Sequence, residues 1–171
     1  MSGITKENVY EILLLKRSAS DSFPLRWEIP GGTADLGIDQ DLVQVAIREL
    51  WEETRLRALK VFCAVGLGLP SHVSNLSTLV EGEDVTMDQT MNFCLLAIDG
   101  LTWAVSAFII DVEDSQAQIV LREDEHLQWA WVTEEEVKQK MFNSESLGQL
   151  DFVTEAMKYM ILEGFRLRRK I

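Results

Sequence analysis

The densest chemistry in the chain lies in Arg48-Glu49-Leu50-Trp51-Glu52-Glu53. On a helix, positions 49, 52 and 53 stand at i, i+3 and i+4, so three carboxylates share one face. Like charges at this spacing repel, and a helix with only a structural duty gains nothing from them. A divalent cation turns that repulsion into binding. Carboxylates with no histidine or cysteine among them are hard oxygen ligands, which suit Mg²⁺, with Mn²⁺ as the alternative, rather than zinc. Arg48 lies one turn before Glu52 and is placed to hold that carboxylate in one rotamer. Taken alone, such a charged run would read as a solvated helix surface.

The elements around the run change that reading. Leu42, Val43, Ala46, Ile47, Leu50 and Thr54 recur at three- and four-residue steps, which predicts a core face opposite the acidic one. Trp27-Glu28-Ile29 reads as a short strand, followed by a Pro30-Gly31-Gly32 turn. Two glycines let the backbone approach a metal or phosphate closely and offer it carbonyls or amides.

This stretch resembles the Nudix box, whose pattern is a Gly, five residues, a Glu, seven residues, then Arg-Glu-aliphatic-x-Glu-Glu-x-Gly-aliphatic. Gly32 matches the opening glycine, and Arg48, Glu49, Leu50, Glu52, Glu53 and Leu56 match the second half. Leu13-Leu14-Leu15-Lys16-Arg17 and Trp27-Glu28-Ile29 resemble the strand pair that leads into the box. Glu125-His126 followed by Trp131-Val132-Thr133-Glu134-Glu135-Glu136-Val137 resembles the family's late loop, last strand and C-terminal helix start. Two departures stand out. Residues 33–47 separate Gly32 from Arg48, two more than the pattern holds, so its first Glu falls on Ile38, with Asp39 and Asp41 as the nearby acids. The glycine that ends the helix is Arg55, and a left-handed cap costs a non-glycine residue roughly 1 kcal/mol.

The resemblance implies a single Nudix domain over residues 1–171, folded as an α/β (α+β) structure, an α/β/α sandwich with a mixed sheet. Periodicity by itself allows only α/β or α+β. Strand-like runs lie at 9–16, 26–29, 60–68, 91–97, 103–112 and 127–132, and helices are expected at 40–54, 134–141 and 150–168. The family's additional N-terminal strand would have Met1-Ser2-Gly3-Ile4 as its remnant. Residues 70–92 are long, polar and acidic, and read either as a substrate-specific insertion or as a surface loop.

A net charge of −12 argues against a general nucleic-acid-binding surface. A small polyanionic substrate stays compatible, because bound metal inverts the local field. Cys63 and Cys94 sit in apolar runs and read as buried thiols. The apolar stretches are strand-sized, so no membrane partner is expected, and a reducing, cytoplasmic setting for a monomer or homodimer is the default.

For function, the resemblance implies a Mg²⁺-dependent hydrolase that cleaves the phosphoanhydride bond of a nucleoside-diphosphate-like or other organic diphosphate. Glu52 and Glu53 would bind metal, with Glu49 a further ligand or a water-activating base. A Gly31 or Gly32 carbonyl would complete the shell, with Gly32 preferred, and Arg48 would orient the glutamates. Glu125 is the chosen extra catalytic carboxylate, ahead of Glu123 and Asp124. Arg17, Arg26 and Lys16 are candidates for phosphate contacts, and Trp27 and Trp51 for stacking on a substrate group. His126 has a stronger claim on the site than His72, with a solvated turn as the plain alternative. Two other functions fit the scaffold: a binding or regulatory module with an impaired box, and a diphosphate isomerase, for which neither Cys63 nor Cys94 is well placed.

Overall fold

In the computed structural model, residues 9–66, 85–88, 93–98, 101–113 and 118–171 are described. Ile12-Leu13-Leu14-Leu15 gives the first strand, β1 (Glu11–Arg17), apolar side chains on both faces, as a strand buried on both sides requires. It is the centre of a three-stranded antiparallel sheet, between β2 (Trp27–Glu28) and β8 (His126–Thr133). Leu14, Trp27, Ala130 and Val132 pack on one face with Val137, Phe142, Leu150, Phe152, Ile161 and Phe165. Leu13 and Leu15 pack on the other with Leu50, Leu56 and Ile119. Helices therefore cover both faces, and the sandwich expected from the sequence is present.

The helix of the acidic run, α1 (Leu42–Thr54), starts on Asp41, whose side chain accepts from the Gln44 N–H at 2.9 Å. It ends on Arg55 in the left-handed conformation, φ 61° and ψ 12°. The cap expected from the missing glycine thus forms, with arginine in it. β3 (Ala58–Val65) follows, then β4 (Val85–Asp88), β5 (Phe93–Ile98), β6 (Leu101–Val105) and β7 (Ala107–Val112). β3 pairs with β7, and β4-β5-β6 form an antiparallel meander. The run expected as one strand over 103–112 is thus two strands, broken at Ser106.

α2 (Glu134–Gln139) begins in a capping box, with Thr133 and Glu136 exchanging side-chain-to-backbone bonds. α3 (Glu155–Arg168) is capped by Thr154 and starts later than the expected 150. The reason is β2: the Trp27 N–H donates to Asp151 O at 2.7 Å and the Val153 N–H to Trp27 O at 3.0 Å, which holds 151–153 extended. The Trp27–Phe152 bridge is parallel, whereas the strand ladders are antiparallel. Within 70–92 only β4 is described; Met1–Ile4, His72, Glu81, Glu83 and Asp84 lie outside the described residues.

The core face of α1 differs from the periodicity. Val45, Leu50 and Thr54 are buried together with Glu49 and Glu53, while Leu42 and Ile47 are exposed. Two carboxylates have taken places on the buried arc, and the structure around them explains why.

Candidate active site

One end of the β2-β1-β8 sheet gathers the charged side chains. The β1–β8 register shifts between Lys16 and Arg17, which sets Arg17 opposite His126. A register shift of this kind re-aims side chains at a strand end. β2 places Glu28 opposite Leu15, next to both. Arg17 Nη1 donates to both carboxylate oxygens of Glu28 at 2.7 Å, and His126 Nε2 lies 3.0 Å from Glu28 Oε1. The Glu125 and His126 amides both donate to Arg122 O, at 3.0 and 2.9 Å, and Ser18 N–H donates to Glu125 O at 2.8 Å. This tight turn brings the Glu125 side chain inward.

α1 supplies the other wall. The Gly31 N–H donates to Glu53 Oε2 at 2.9 Å, and Glu53 Oε1 lies 3.9 Å from His126 Nε2. The Glu49 carboxylate rests against Gly32 so closely that a Cβ there would overlap it. Only glycine leaves that room. Ligand atoms of Glu53, Glu125 and His126 all lie within 4.8 Å of one another.

The electrostatics of this cluster are unbalanced. Glu28, Glu49, Glu53 and His126 are all buried. Burial, reinforced by Glu28, Glu49 and Glu125, pushes the Glu53 carboxyl up to about 8 despite the stabilising Gly31 N–H. Burial alone would lower the Arg17 pKa, but its bonds to Glu28 and Asp21 raise it. Among the described residues, His126 Nδ1 is buried without a hydrogen-bond partner. Crowded carboxylates at the mouth of a glycine turn are hard oxygen donors of the kind that suit Mg²⁺ or Mn²⁺, and His126, whose Nε2 lies 3.0 Å from Glu28 Oε1, stands beside them.

Arg48 organises the rim. It donates to Asp39 through Nε at 3.1 Å and Nη2 at 2.8 Å, to Glu49 at 2.8 Å, to Glu52 at 3.3 Å and to Thr33 O at 3.2 Å. The hydrogen bond to Arg48 holds Asp39 below its usual range, and Arg48 is raised in turn. Of the acids near the lengthened loop, Asp39 meets the arginine and Asp41 caps the helix.

The structure brings Arg17, Gly32, Arg48, Glu49, Glu53 and Glu125 together. Glu52 stands at the rim, its side chain 40% exposed and tied to Arg48. Glu123 and Asp124 are exposed, so Glu125 is the acid of its loop that turns inward. Two expectations are corrected. Trp27 is 1% exposed and packs its ring against Phe142 at 4.9 Å between centroids, so no substrate group reaches its face. Arg26 directs its guanidinium to Phe152 O and Val153 O, at 3.3 and 3.4 Å, and not to the acids. Trp51 is exposed on α1, with the Arg55 and Arg57 guanidiniums 5.6 and 5.7 Å from its ring centroid. Glu28 is the residue that sequence reasoning missed. Its one signal was a charge in a strand otherwise made of core residues.

Comparison with known proteins shows the family and the fold. The family described as the NUDIX domain matches residues 4–150. Among solved structures, the NUDIX domain of Shewanella oneidensis NrtR, complexed with ADP ribose, is 17% identical. The match covers 93% of this chain and 77% of that one, with a TM-score of 0.51. A C. elegans Ap4A hydrolase binary complex is 22% identical over 75% of this chain and 72% of that one, TM-score 0.47. The Nudix hydrolase RenU from M. smegmatis is 18% identical over 97% and 78%, TM-score 0.43. No curated protein matches significantly in sequence.

Proposed function

This chain belongs to the NUDIX domain family, and from that premise we propose that it is a Mg²⁺-dependent hydrolase cleaving the phosphoanhydride bond of an organic diphosphate, the whole chain forming one catalytic domain. The observation that carries the reading is Glu53. It is buried beside Glu28, Glu49 and Glu125, and its carboxyl is pushed up to about 8. A group so perturbed at the mouth of a glycine turn marks a functional site.

Glu53 and Glu49 would hold the cation, and Glu52 would join from the rim once Arg48 yields it. When bound, the cation supplies charge neutralisation of the diphosphate and a lowered pKa for water. Arg48 keeps the Glu49 carboxylate in one orientation. Gly32 leaves space for that carboxylate, and the Gly31 N–H fixes Glu53. Arg17, at the same end of the sheet, has its guanidinium held by Glu28, Asp21 and Ser22, and would meet a phosphate oxygen only by giving up one of these partners. As water attacks phosphorus, the bond to the bridging oxygen breaks and the departing phosphate takes the electron pair. Glu125 accepts the proton of the attacking water.

The test is a product-release screen over nucleoside diphosphate sugars, dinucleotide polyphosphates, cap-like compounds and isoprenoid diphosphates. Release with Mg²⁺ that a chelator abolishes is the expected result. Binding of Mg²⁺ and diphosphates with no product from any compound would make the chain a binding module instead.

A further inference from the structure

Glu28 and His126 are buried among the acids, yet neither holds the cation nor moves a proton in the hydrolase reading. A buried carboxylate or imidazole is costly unless it is paired. Here the two pair with each other, His126 Nε2 lying 3.0 Å from Glu28 Oε1, and Arg17 Nη1 donates to both oxygens of Glu28 at 2.7 Å. A carboxylate held by Arg17 only accepts, so Nε2 carries the hydrogen of its contact. Glu53 Oε1, at 3.9 Å from Nε2, is beyond hydrogen-bonding distance, and Nδ1 is buried without a partner among the described residues. The orientation of the imidazole therefore hangs on Glu28. Neither ring nitrogen is a free base: one donates to Glu28, and the other is closed off by protein.

What that orientation secures is the turn before β8. His126 opens the strand, and Glu125 precedes it directly. The Glu125 side chain pairs with Arg122 Nη1 at 3.2 Å, but Arg122 belongs to the same turn and its side chain is 45% exposed. A pair of that kind fixes little in water. The main chain ties the turn to the end of β1, where the Ser18 N–H donates to Glu125 O at 2.8 Å. The β1–β8 register shifts just before that point, so the ladder alone does not fix the last residues. Arg17 also reaches forward, donating to Ser22 O at 2.6 Å and Ser22 Oγ at 2.9 Å. The line Arg17–Glu28–His126 thus joins the segment after β1, the strand β2 and the Glu125 turn.

The geometry assigns Glu28 and His126 as positioning residues that, with Arg17, clamp this turn and keep the Glu125 carboxylate beside Glu53. A reacting group displaced by about 1 Å can lose on the order of a hundredfold in rate, so the clamp matters to turnover without touching substrate. The acid at position 28 is part of the device. An amide there would present a donor to either Arg17 or His126, both of which donate. The assignment rests on the hydrolase reading for what Glu125 does, and not for what holds Glu125.

Two measurements on the full chain test the clamp. They use His126→Phe, which fills the place of the ring without a donor, and His126→Gln, whose amide N–H can reach Glu28. The first is amide hydrogen exchange in chelator. In His126→Phe the Ser18 and Glu125 N–H groups should exchange faster by roughly tenfold or more, while amides in the middle of the β1–β8 ladder keep their wild-type rates. His126→Gln should leave all of them within about threefold of the wild type. The second is steady-state turnover with Mg²⁺ on whichever diphosphate releases product fastest. His126→Phe should lower kcat by roughly ten- to a hundredfold with KM little changed, and His126→Gln should restore most of it. In a Glu125→Gln background the same His126→Phe change should cost less than about threefold in kcat, because the group it positions is already gone. Should His126→Phe fail to fold, Glu28→Gln goes through the same exchange and turnover cycle with the same expectations. The clamp is overturned if Ser18 exchanges at the wild-type rate, if all amides accelerate together, if His126→Gln is as poor as His126→Phe, or if the kcat loss is equal in both backgrounds. A wild type that releases no product, while Ser18 loosens in His126→Phe, sinks the hydrolase reading and leaves the clamp standing.

Discussion

Glu53 and Glu125 approach the same point from different elements, and their amides separate holding a cation from moving a proton. In Glu53→Gln the amide oxygen can still accept the Gly31 N–H, now at 2.9 Å, so the fold should survive. A neutral amide cannot hold Mg²⁺ comparably, and turnover should fall by at least about a hundredfold. Near wild-type activity in a folded variant would remove Glu53 from the metal site. Glu125→Gln should lower turnover by roughly 10²–10⁴-fold, the usual worth of a positioned proton acceptor. Its Mg²⁺ affinity, read from metal-dependent melting, should change less than that of Glu53→Gln. Full activity in Glu125→Gln would take the loop out of the chemistry, because Glu123 and Asp124 are exposed.

The two ends of α1 show what the element contributes. At its C-terminus Arg55 occupies a left-handed position, φ 61°, that glycine adopts freely. Its guanidinium also lies over Trp51, an exposed contact worth about 0.5 kcal/mol. Arg55→Gly loses the stack and relieves the backbone, whereas Arg55→Ala loses the stack alone. Denaturant melts should therefore place the Gly variant roughly 1 kcal/mol above the Ala variant. Equal stabilities would show that the cap conformation carries no cost in this chain. At the turn before α1, a Cβ at Gly32 would overlap the Glu49 carboxylate, the mobile end of a long side chain. Gly32→Ala should thus keep close to the wild-type melting temperature while activity drops on the order of tenfold to a hundredfold through misplacement of Glu49. A large loss of stability with activity per folded molecule intact would contradict that division.

At the scale of the whole molecule, burying the Glu53 carboxyl among other acids costs folding stability once it ionises. The Glu53 carboxyl, pushed up to about 8 mainly by burial, binds its proton more tightly folded than unfolded, where 4.5 is the ordinary value. Between those values the folded state carries more protons, so stability falls as pH rises. In chelator, denaturant unfolding from pH 5 to 8 should show the wild type losing stability relative to Glu53→Gln, by at most about 1.4 kcal/mol per pH unit. Added Mg²⁺ should reverse the trend, since its ligands must be deprotonated. A wild type that gains on Glu53→Gln in chelator as pH rises would mean that Glu53 is ionised throughout the range.

The run Arg48–Glu53, the glycine turn and the apolar strand Ile12–Leu15 were legible in the sequence because each rests on local spacing: a helical face, a backbone without Cβ, a strand with two buried sides. The absent cap glycine likewise announced the strained helix end that Arg55 fills. Contacts between distant segments were not legible. Nothing local assigns Glu28 to His126, 98 residues away, or brings Arg17 to both oxygens of Glu28 at 2.7 Å. The shift between Lys16 and Arg17 does that, and strand register is settled by burial of whole faces across the sheet. Burial of Trp27, exposure of Leu42 and Ile47, and the late start of α3 belong to the same class. In each, packing against another element overrode the preference of the segment, because the apolar surface buried between elements outweighs local periodicity.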